Sequence, residues 1–338
     1  MLLRLSLCSV MTLMSAAHSA LPQASPAAPV SRARYLMGTV CEGIAYGQDA
    51  ASALDASFDE IARLESILSD YLPDSELSRL NRSAAAGPML CSPDLFELVT
   101  ESCRLSRLTF GAFDITVAPL IEAWDLRGHG RLPEAEALSQ ARRRVGASLL
   151  AIDDKRRTVA FQVDGMRLDP GAIGKGFALD AAARVLRARG VTVALLDFGG
   201  QVLALGAPPG AEAWEVDIAH PLHREEAALT ITLRDASAST SGNSQHHVVV
   251  AGRTLGHIVD PRSGIPTSRQ GSVTVIAPTA TEADAVSTAM FVLGAREGSR
   301  VISAMPGLSA LWLDTDRSGR LVIVRGGQIR SDAIEAHE

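Results

Sequence analysis

The fold is decided by residues 168–177, which read LDPGAIGKGF. Three glycines and a lysine stand here at the start of a predicted helix over residues 174–189, which ends before Gly190. A buried strand over residues 191–197 is predicted to follow it. The first turn of a helix presents unpaired N–H groups and the positive end of the helix dipole. This stretch therefore joins a core helix and strand to a candidate anion site.

Upstream of this stretch, three helices are predicted. The first is amphipathic, because apolar residues recur at helical spacing at Leu54, Phe58, Ile61, Leu64, Leu68 and Leu72. Ser92 is an N-cap followed by Pro93 at the first helical position, and the helix that they open ends before Gly111. Pro133 is predicted to start the third helix.

Strands dominate from residue 149 onward. They are predicted over residues 149–152, 158–163, 214–218, 229–233, 247–250, 273–277, 308–313 and 321–324. Thr281 is expected to cap a helix that runs to Leu293, and another helix spans residues 295–304. This order fits neither a strict βαβ alternation nor an all-β rhythm. The predicted class is α+β, with mixed β-sheets flanked by helices.

Composition excludes several classes of protein. The chain has 338 residues, of which 47% are hydrophobic, so it can form a sizeable core and is not disordered. No run of 18 apolar residues occurs without polar breaks, and no transmembrane segment is expected. The formal net charge of −6 argues against nucleic acid as a partner, because neutralising phosphates requires a basic surface.

The first residues predict export. Arg4 precedes an apolar stretch over residues 5–17 and then small residues, which is typical of a signal peptide over residues 1–20. A Pro/Ala-rich linker over residues 21–33 follows, and we expect a periplasmic location. A lipoprotein anchor is not expected, because Cys8 precedes most of the apolar stretch.

Three cysteines follow the predicted signal peptide: Cys41, Cys91 and Cys103. None belongs to a Cys-x-x-Cys pair, and an odd number does not suit a disulfide framework. Buried thiols are the favoured interpretation, with a Cys91–Cys103 bridge as the alternative in an oxidising compartment.

The glycine-rich stretch matches neither common phosphate-binding motif. Asp169 stands where a P-loop has its first glycine, and no Ser or Thr follows Lys175. The glycines fall as GxxGxG rather than GxGxxG. Taken alone, the stretch could be an anion site or only a device for turning and packing.

A second cluster lies at the start of the helix predicted after Thr281. Asp284 and Thr288 are four residues apart, so their oxygens share one helix face. A carboxylate with a hydroxyl suits Mg²⁺, which keeps water and phosphate oxygens as its other ligands. The alternative is an acid that interacts with the helix dipole and a threonine that bonds to the preceding turn.

A third cluster is residues 255–266, which read LGHIVDPRSGIP and contain an Asp-Pro turn. His257 precedes the turn and could be a general base, a phosphate donor or a core histidine. Residues 239–243 form a predicted hydroxyl-rich loop. The remaining histidines of this region give no zinc pattern: His220, His223, His246 and His247.

Six segments together carry a resemblance to a known family. They are residues 34–39 (RYLMGT), 69–81 (SDYLPDSELSRLN), 111–116 (GAFDIT), 168–177, 255–266 and 281–290. In this order they resemble the ApbE family of FAD:protein FMN transferases, over about residues 34–294. Within the glycine-rich stretch the sequence departs from the family pattern: Asp-Pro-Gly-Ala replaces the commoner Asp-Leu-Gly-Gly, and Gly174 replaces an alanine. A further departure is the loop over residues 243–246.

The resemblance implies an ApbE-like domain over residues 34–330, with an FAD cleft between two subdomains. It also implies a Mg²⁺-dependent enzyme that cleaves the FAD pyrophosphate, attaches FMN to a Thr or Ser of an acceptor protein and releases AMP. The alternatives are an FAD pyrophosphatase that yields FMN and AMP, and a periplasmic flavin-binding protein without transfer activity.

The same resemblance assigns residues to the site. FAD contacts are expected from Met37, Tyr71, Ala112, Phe113, Asp114, Asp169, Lys175, His257 and Ile258. The metal is expected to bind the Ala172 carbonyl, the Asp284 carboxylate and the Thr288 hydroxyl. His257 is a candidate base for the acceptor hydroxyl, with a nearby carboxylate as the other candidate.

Overall fold

The structure is a computed structural model that describes residues 28–243, 247–250, 252–328 and 334–336. The predicted signal peptide and residues 21–27 of the predicted linker lie outside the described residues. Residues 30–33 of that linker belong to the first strand, because their backbone pairs with the second.

The described residues form seven α-helices: α1 (Ala50–Leu68), α2 (Glu76–Ser83), α3 (Pro93–Leu108), α4 (Ala118–Trp124), α5 (Ala135–Arg142), α6 (Gly174–Ala188) and α7 (Ala280–Ser303). The first nine strands are β1 (Val30–Leu36), β2 (Thr39–Tyr46), β3 (Met89–Leu90), β4 (Leu150–Asp153), β5 (Thr158–Phe161), β6 (Val193–Phe198), β7 (Gln201–Leu205), β8 (Trp214–Ala219) and β9 (Ala227–Leu233). The others are β10 (Ala236–Gly242), β11 (His247–Val250), β12 (Arg253–Gly256), β13 (Val259–Asp260), β14 (Ile265–Pro266), β15 (Ser272–Ala277), β16 (Ser309–Thr315), β17 (Leu321–Gly327) and β18 (Ile334–Ala336).

An eight-stranded antiparallel sheet organises the molecule, in the order β1-β2-β6-β7-β10-β15-β16-β17. Its strands follow one another in sequence order, and the other elements are insertions between them. Two three-stranded sheets, β18-β9-β8 and β3-β5-β4, and two short hairpins complete the β-structure of the described residues. The α+β class is confirmed.

Both faces of the large sheet are covered. On one face it packs against α1, α3, α6 and α7 in the larger core, to which Leu196 belongs. On the other it packs against β8 and β9 in a smaller core, to which the adjacent Leu195 belongs. Successive side chains of a strand point to opposite faces, so a strand buried on both faces reads as a continuous apolar run. A third core joins α4 and α5 to β11–β13.

Several helix ends differ from the prediction. Helix α1 ends at Leu68, and Leu72 is exposed, because the chain turns at Ser69, whose carbonyl accepts a hydrogen bond from the Ser75 hydroxyl. Helix α5 begins at Ala135, two residues after Pro133.

The cap of α7 is Thr279, whose hydroxyl oxygen accepts a hydrogen bond from the Glu282 N–H. The predicted cap, Thr281, donates instead to Asp180 of α6. The two helices predicted on either side of Gly294 are one helix with a kink there, where φ is +69°. The predicted hydroxyl-rich loop is also corrected: most of residues 239–243 belongs to β10.

The three cysteines of the described residues are buried and free. This agrees with the favoured interpretation and not with the Cys91–Cys103 alternative. Among the described helices, none combines the length and the apolar character that crossing a membrane requires.

Candidate active site

A cavity of about 890 Å³ lies where the three hydrophobic cores meet. This volume is at the upper end of the range for ligand sites. The structure brings every residue predicted for the site to its wall: Met37, Tyr71, Ala112, Phe113, Asp114, Asp169, Ala172, Lys175, His257, Ile258, Asp284 and Thr288.

The start of α6 and the second turn of α7 meet at this wall. The Asp284 carboxylate is buried, and its Oδ2 accepts a hydrogen bond of 3.0 Å from the Gly176 N–H. The Lys175 ammonium lies 3.5 Å from Oδ1 of the same carboxylate. A Cβ on Gly176 would collide with the Ala280 carbonyl oxygen and lie 2.9 Å from Cβ of Asp284. Glycine is therefore required for the helices to approach this closely.

Hydroxyl groups continue this wall from α7 to β10. The Ser241 hydroxyl lies 2.8 Å from the Ser287 hydroxyl and 3.4 Å from the Thr288 hydroxyl. The Ser287 hydroxyl donates to the Asp284 carbonyl at 2.8 Å. The segment predicted as a hydroxyl-rich loop thus supports the α7 turn that carries Asp284 and Thr288.

The donor set beside α6 suits a hard divalent cation. Asp284, Thr288 and Ala172 line the same cavity, and the carboxylate, hydroxyl and backbone carbonyl that they carry are oxygen ligands of the kind that Mg²⁺ prefers. No group of three or more His, Cys, Asp or Glu that could hold a metal occurs within the described ranges. A cation here would need ligand or water oxygens in addition, as Mg²⁺ commonly does at phosphate sites.

Asp114 holds the loop over residues 111–116 rather than pointing a free carboxylate into the cavity. Its buried oxygens accept hydrogen bonds from the Thr116 N–H, the Thr116 and Ser106 hydroxyls and the Ala147 N–H, at 2.6–3.2 Å. The Phe113 side chain packs in the larger core. Both side chains are therefore occupied inside the protein, although both residues line the cavity.

A guanidinium joins two of the predicted segments. Arg127 Nη1 lies 2.6 Å from Asp70 Oδ2, and Arg127 Nη2 lies 2.7 Å from Asp169 Oδ2. Its Cζ lies 4.5 Å from the centre of the Tyr71 ring. Burial raises the pKa of the Asp169 carboxyl, and the charge of Arg127 opposes that rise.

His257 is exposed on the cavity wall, between β12 and β13. The next residue, Ile258, is buried, and its carbonyl accepts a hydrogen bond of 2.7 Å from the Thr267 N–H. The Asp-Pro turn that follows is held by Arg262, whose guanidinium pairs with Asp260 at 2.9 Å. The turn predicted from the sequence therefore fixes the backbone beside His257.

Sequence reasoning missed several polar residues of the wall, among them Arg127, Gln201 and His220. Nδ1 of His220 accepts hydrogen bonds from the Leu222 and His223 N–H groups, at 3.2 and 3.1 Å. The Gln201 amide donates to the Ala280 carbonyl at 2.7 Å, and its buried Oε1 has no hydrogen-bond partner among the described residues. The contacts of Arg127 and Gln201 join residues that are far apart in sequence, so no local motif predicts them.

The fold and the site together define an α+β protein whose cleft suits an anionic ligand of nucleotide size. The model of the ApbE family matches residues 37–312. The chain belongs to the ApbE family.

Similar proteins cover nearly the whole chain. The FAD:protein FMN transferase of Klebsiella pneumoniae (strain 342) is 32% identical over 313 residues, which cover 88% of this chain and 89% of the relative. The FAD:protein FMN transferase of Treponema pallidum (strain Nichols) is 32% identical over 315 residues, which cover 86% of each chain.

Solved structures of flavin transferases also superpose on most of this chain. The apo form of the flavinyl transferase ApbE from Pseudomonas stutzeri superposes with a TM-score of 0.79 at 28% identity and covers 89% of this chain and 96% of its own. The flavin transferase ApbE from Vibrio cholerae gives a TM-score of 0.78 at 27% identity and covers 89% of this chain and 98% of its own.

Proposed function

We propose that this chain cleaves the pyrophosphate of FAD with the help of Mg²⁺, attaches the FMN half to a Ser or Thr hydroxyl of an acceptor protein and releases AMP. Membership of the ApbE family and the names of the relatives make the chain an FAD:protein FMN transferase. The metal, the leaving group and the acceptor residue are the finer part of the proposal.

One observation carries the proposal. Residues from six sequence segments, which begin at Met37 and end at Thr288, line a single cavity of nucleotide size. The same wall carries a helix N-terminus, a lysine and a carboxylate–hydroxyl pair. If these segments served only as turns and packing devices, there would be no reason for them to meet at one cavity.

Local charge reconciles an acidic protein with an anionic ligand. The chain carries a net charge of −6, but the N-terminus of α6 and the Lys175 ammonium place positive charge at the cavity. The Asp284 carboxylate, the Thr288 hydroxyl and the Ala172 carbonyl would hold Mg²⁺, which supplies charge neutralisation on the diphosphate when it is bound.

The transfer step balances as a phosphoryl substitution. The acceptor hydroxyl oxygen attacks the phosphorus of the FMN half, and the bond from that phosphorus to the bridging oxygen breaks. AMP leaves with the bridging oxygen, and the hydroxyl proton passes to a base. His257 is our candidate for the base, because it stands exposed on the cavity wall.

The experiment is an incubation of the purified protein with FAD and Mg²⁺, with and without an acceptor that carries a Ser/Thr flavinylation segment. Flavin fluorescence on the acceptor in a denaturing gel is the expected result, and chelation of Mg²⁺ is expected to remove it. FMN release at the same rate without acceptor would assign a pyrophosphatase instead. FAD binding without either product would assign a binding protein.

We also propose that the protein acts in the periplasm, as the signal-like residues 1–20 indicate. A C-terminally tagged chain is expected in the periplasmic fraction of a bacterial host, and a chain without residues 1–20 in the cytoplasmic fraction. An equal distribution of the two chains would contradict this proposal.

A further inference from the structure

We infer that Arg127 is a positioning residue of the FAD site, which fixes the Tyr71 ring and the Asp169 carboxylate before the nucleotide arrives. The inference rests on the proposed function in one respect, namely that the ligand is FAD. It adds a residue that none of the six sequence segments contains.

The geometry of Arg127 links three loops. Asp70 lies between α1 and α2, Arg127 follows α4, and Asp169 precedes α6. The guanidinium contacts one carboxylate through Nη1 at 2.6 Å and the other through Nη2 at 2.7 Å. The two carboxylate side chains are only 6% and 5% exposed. Arg127 balances the charge of both buried carboxylates, because a buried carboxylate without a cationic partner is strongly destabilising.

The same guanidinium stacks on Tyr71. The distance of 4.5 Å from Cζ to the ring centre is within the range of a cation–π contact. Tyr71 is nevertheless 72% exposed, so the guanidinium covers one ring face and leaves the other accessible from the cavity. An exposed aromatic ring that is already held in place can stack on an incoming ring at a smaller cost in side-chain entropy.

Arg127 is neutralised and is therefore not a phosphate ligand. Its Nη1 and Nη2 atoms each contact a carboxylate, which leaves the local group with net negative charge if both acids are ionised. Asp169 in turn accepts the Gly171 N–H at 2.8 Å, which connects Arg127 to the glycine-rich turn before α6. Arg127 thus affects FAD binding indirectly, because it orients the Tyr71 ring and the glycine-rich turn.

A lysine at position 127 could not make the same contacts with the two carboxylates and the ring. A guanidinium is a planar fork that can bridge two carboxylates and lie flat on a ring, whereas an ammonium is a point charge. Arg127→Lys therefore tests geometry at constant charge, and Arg127→Met removes the charge at similar length. Arg143→Met is the matched control, because among the described ion pairs Arg143 contacts the exposed Glu136, at 3.3 Å, and does not line the cavity.

The test measures the FAD dissociation constant by flavin fluorescence, kcat at saturating FAD, and the melting temperature. We expect Arg127→Met to weaken FAD binding about tenfold while kcat changes less than about threefold, since the loss is in ground-state binding. Arg127→Lys is expected to weaken binding at least about threefold. Arg143→Met is expected to bind FAD like the unmodified protein.

A double-mutant cycle with Tyr71→Ala tests whether Arg127 acts through the ring. In the Tyr71→Ala background, Arg127→Met is expected to weaken FAD binding less than about threefold, because the ring that Arg127 positions is absent. Fully multiplicative effects would overturn the inference, as would unchanged FAD affinity in both Arg127 variants. If Arg127→Met does not fold, Arg127→Lys decides.

The outcomes separate this inference from the proposed function. If the unmodified protein binds FAD but transfers no FMN, the proposed function fails and the binding measurements still decide the role of Arg127. If it transfers FMN and the Arg127 variants bind FAD normally, only the inference fails. If it binds no FAD, both fail.

Discussion

At the scale of single residues, the site depends on side chains that are held by other side chains. Asn81 illustrates this dependence, because its amide both donates to and accepts from the backbone of Leu168, at 3.0 and 2.8 Å. The segment over residues 69–81 thereby fixes the backbone just before the glycine-rich turn. Two of the segments that carry the family resemblance are thus one structural unit.

Asp284 is the residue on which the metal proposal depends most directly. Asp284→Asn keeps an oxygen for the Gly176 N–H but removes the charge, so we expect FMN transfer to fall at least about 100-fold with little change in melting temperature. Glu282→Gln is the control, because Glu282 lies on the same helix and pairs with Arg104 at 2.6 Å. Retained transfer in Asp284→Asn would contradict the metal assignment.

His257 is testable as the base in a separate way. His257→Ala is expected to lower kcat at saturating FAD by about 10²–10⁴-fold, the usual contribution of general base catalysis. Added imidazole should restore part of the rate, because it can accept the proton in place of the missing side chain. If transfer continues at the normal rate while FAD binds, another group is the base.

The sequence predicts residues of the candidate site only where a local motif contains them. Lys175, Asp284 and Thr288 lie in short segments whose residue types suit anions or cations, so their chemistry is visible without the fold. Arg127 is not, because its partner Asp169 is 42 residues further along the chain. Gln201 was missed for the same reason, because its partner Ala280 is 79 residues further along the chain.

At the scale of elements, the contact of α6 with α7 determines where the predicted cation ligands lie. Asp180 of α6 accepts hydrogen bonds from the Ala280 and Thr281 N–H groups at the start of α7, both at 2.9 Å. One helix thus caps the other. Because Asp180 binds Thr281, the N-cap position falls on Thr279 instead. Local sequence alone does not distinguish these two threonines as caps.

The close contact of α6 with α7 at Gly176 leads to a prediction about stability. Gly176→Ala is expected to destabilise the protein by about 1–3 kcal/mol, because the methyl group collides with the Ala280 carbonyl of a packed neighbour. Gly174→Ala is the control, since its Cβ would meet Pro170 at an ordinary 3.5 Å. Chemical denaturation of the two variants gives the comparison, and equal stability would contradict the close helix approach.

Element existence was easier to predict than element boundaries. Periodicity identified α1, because burial of one face imposes a pattern on the sequence, and signals at the helix ends identified α3 and α6. It missed β10, where serines and threonines face the cavity and α7 instead of an apolar core. A strand that builds a polar site has no hydrophobic alternation to reveal it.

At the scale of the whole molecule, the cores shield all three described thiols. Burial raises the pKa of Cys41 to about 12 and the pKa of both Cys91 and Cys103 to about 11. At pH 8 the thiolate fraction is therefore negligible, and the thiolate is the reactive form. Nearby carboxylates act in the same direction, with Asp197 beside Cys41 as an example.

Thiol titration tests this shielding. A chain without residues 1–20 is expected to leave all three thiols unreacted with an aromatic disulfide reagent at pH 8 while folded. After unfolding without a reductant, all three should react. Only one reactive thiol after unfolding would show that Cys91 and Cys103 form a disulfide.

The strand order of the large sheet has a consequence for the order of synthesis. Because the eight strands follow one another along the chain, the sheet can grow from β1 toward β17 as the polypeptide emerges. The cavity cannot form so gradually, since its wall includes Met37 near the beginning and Thr288 on the late helix α7. A chain that lacks α7 can thus pair much of its sheet while the cavity wall is still incomplete, so nucleotide binding requires the late part of the chain as well as the early part.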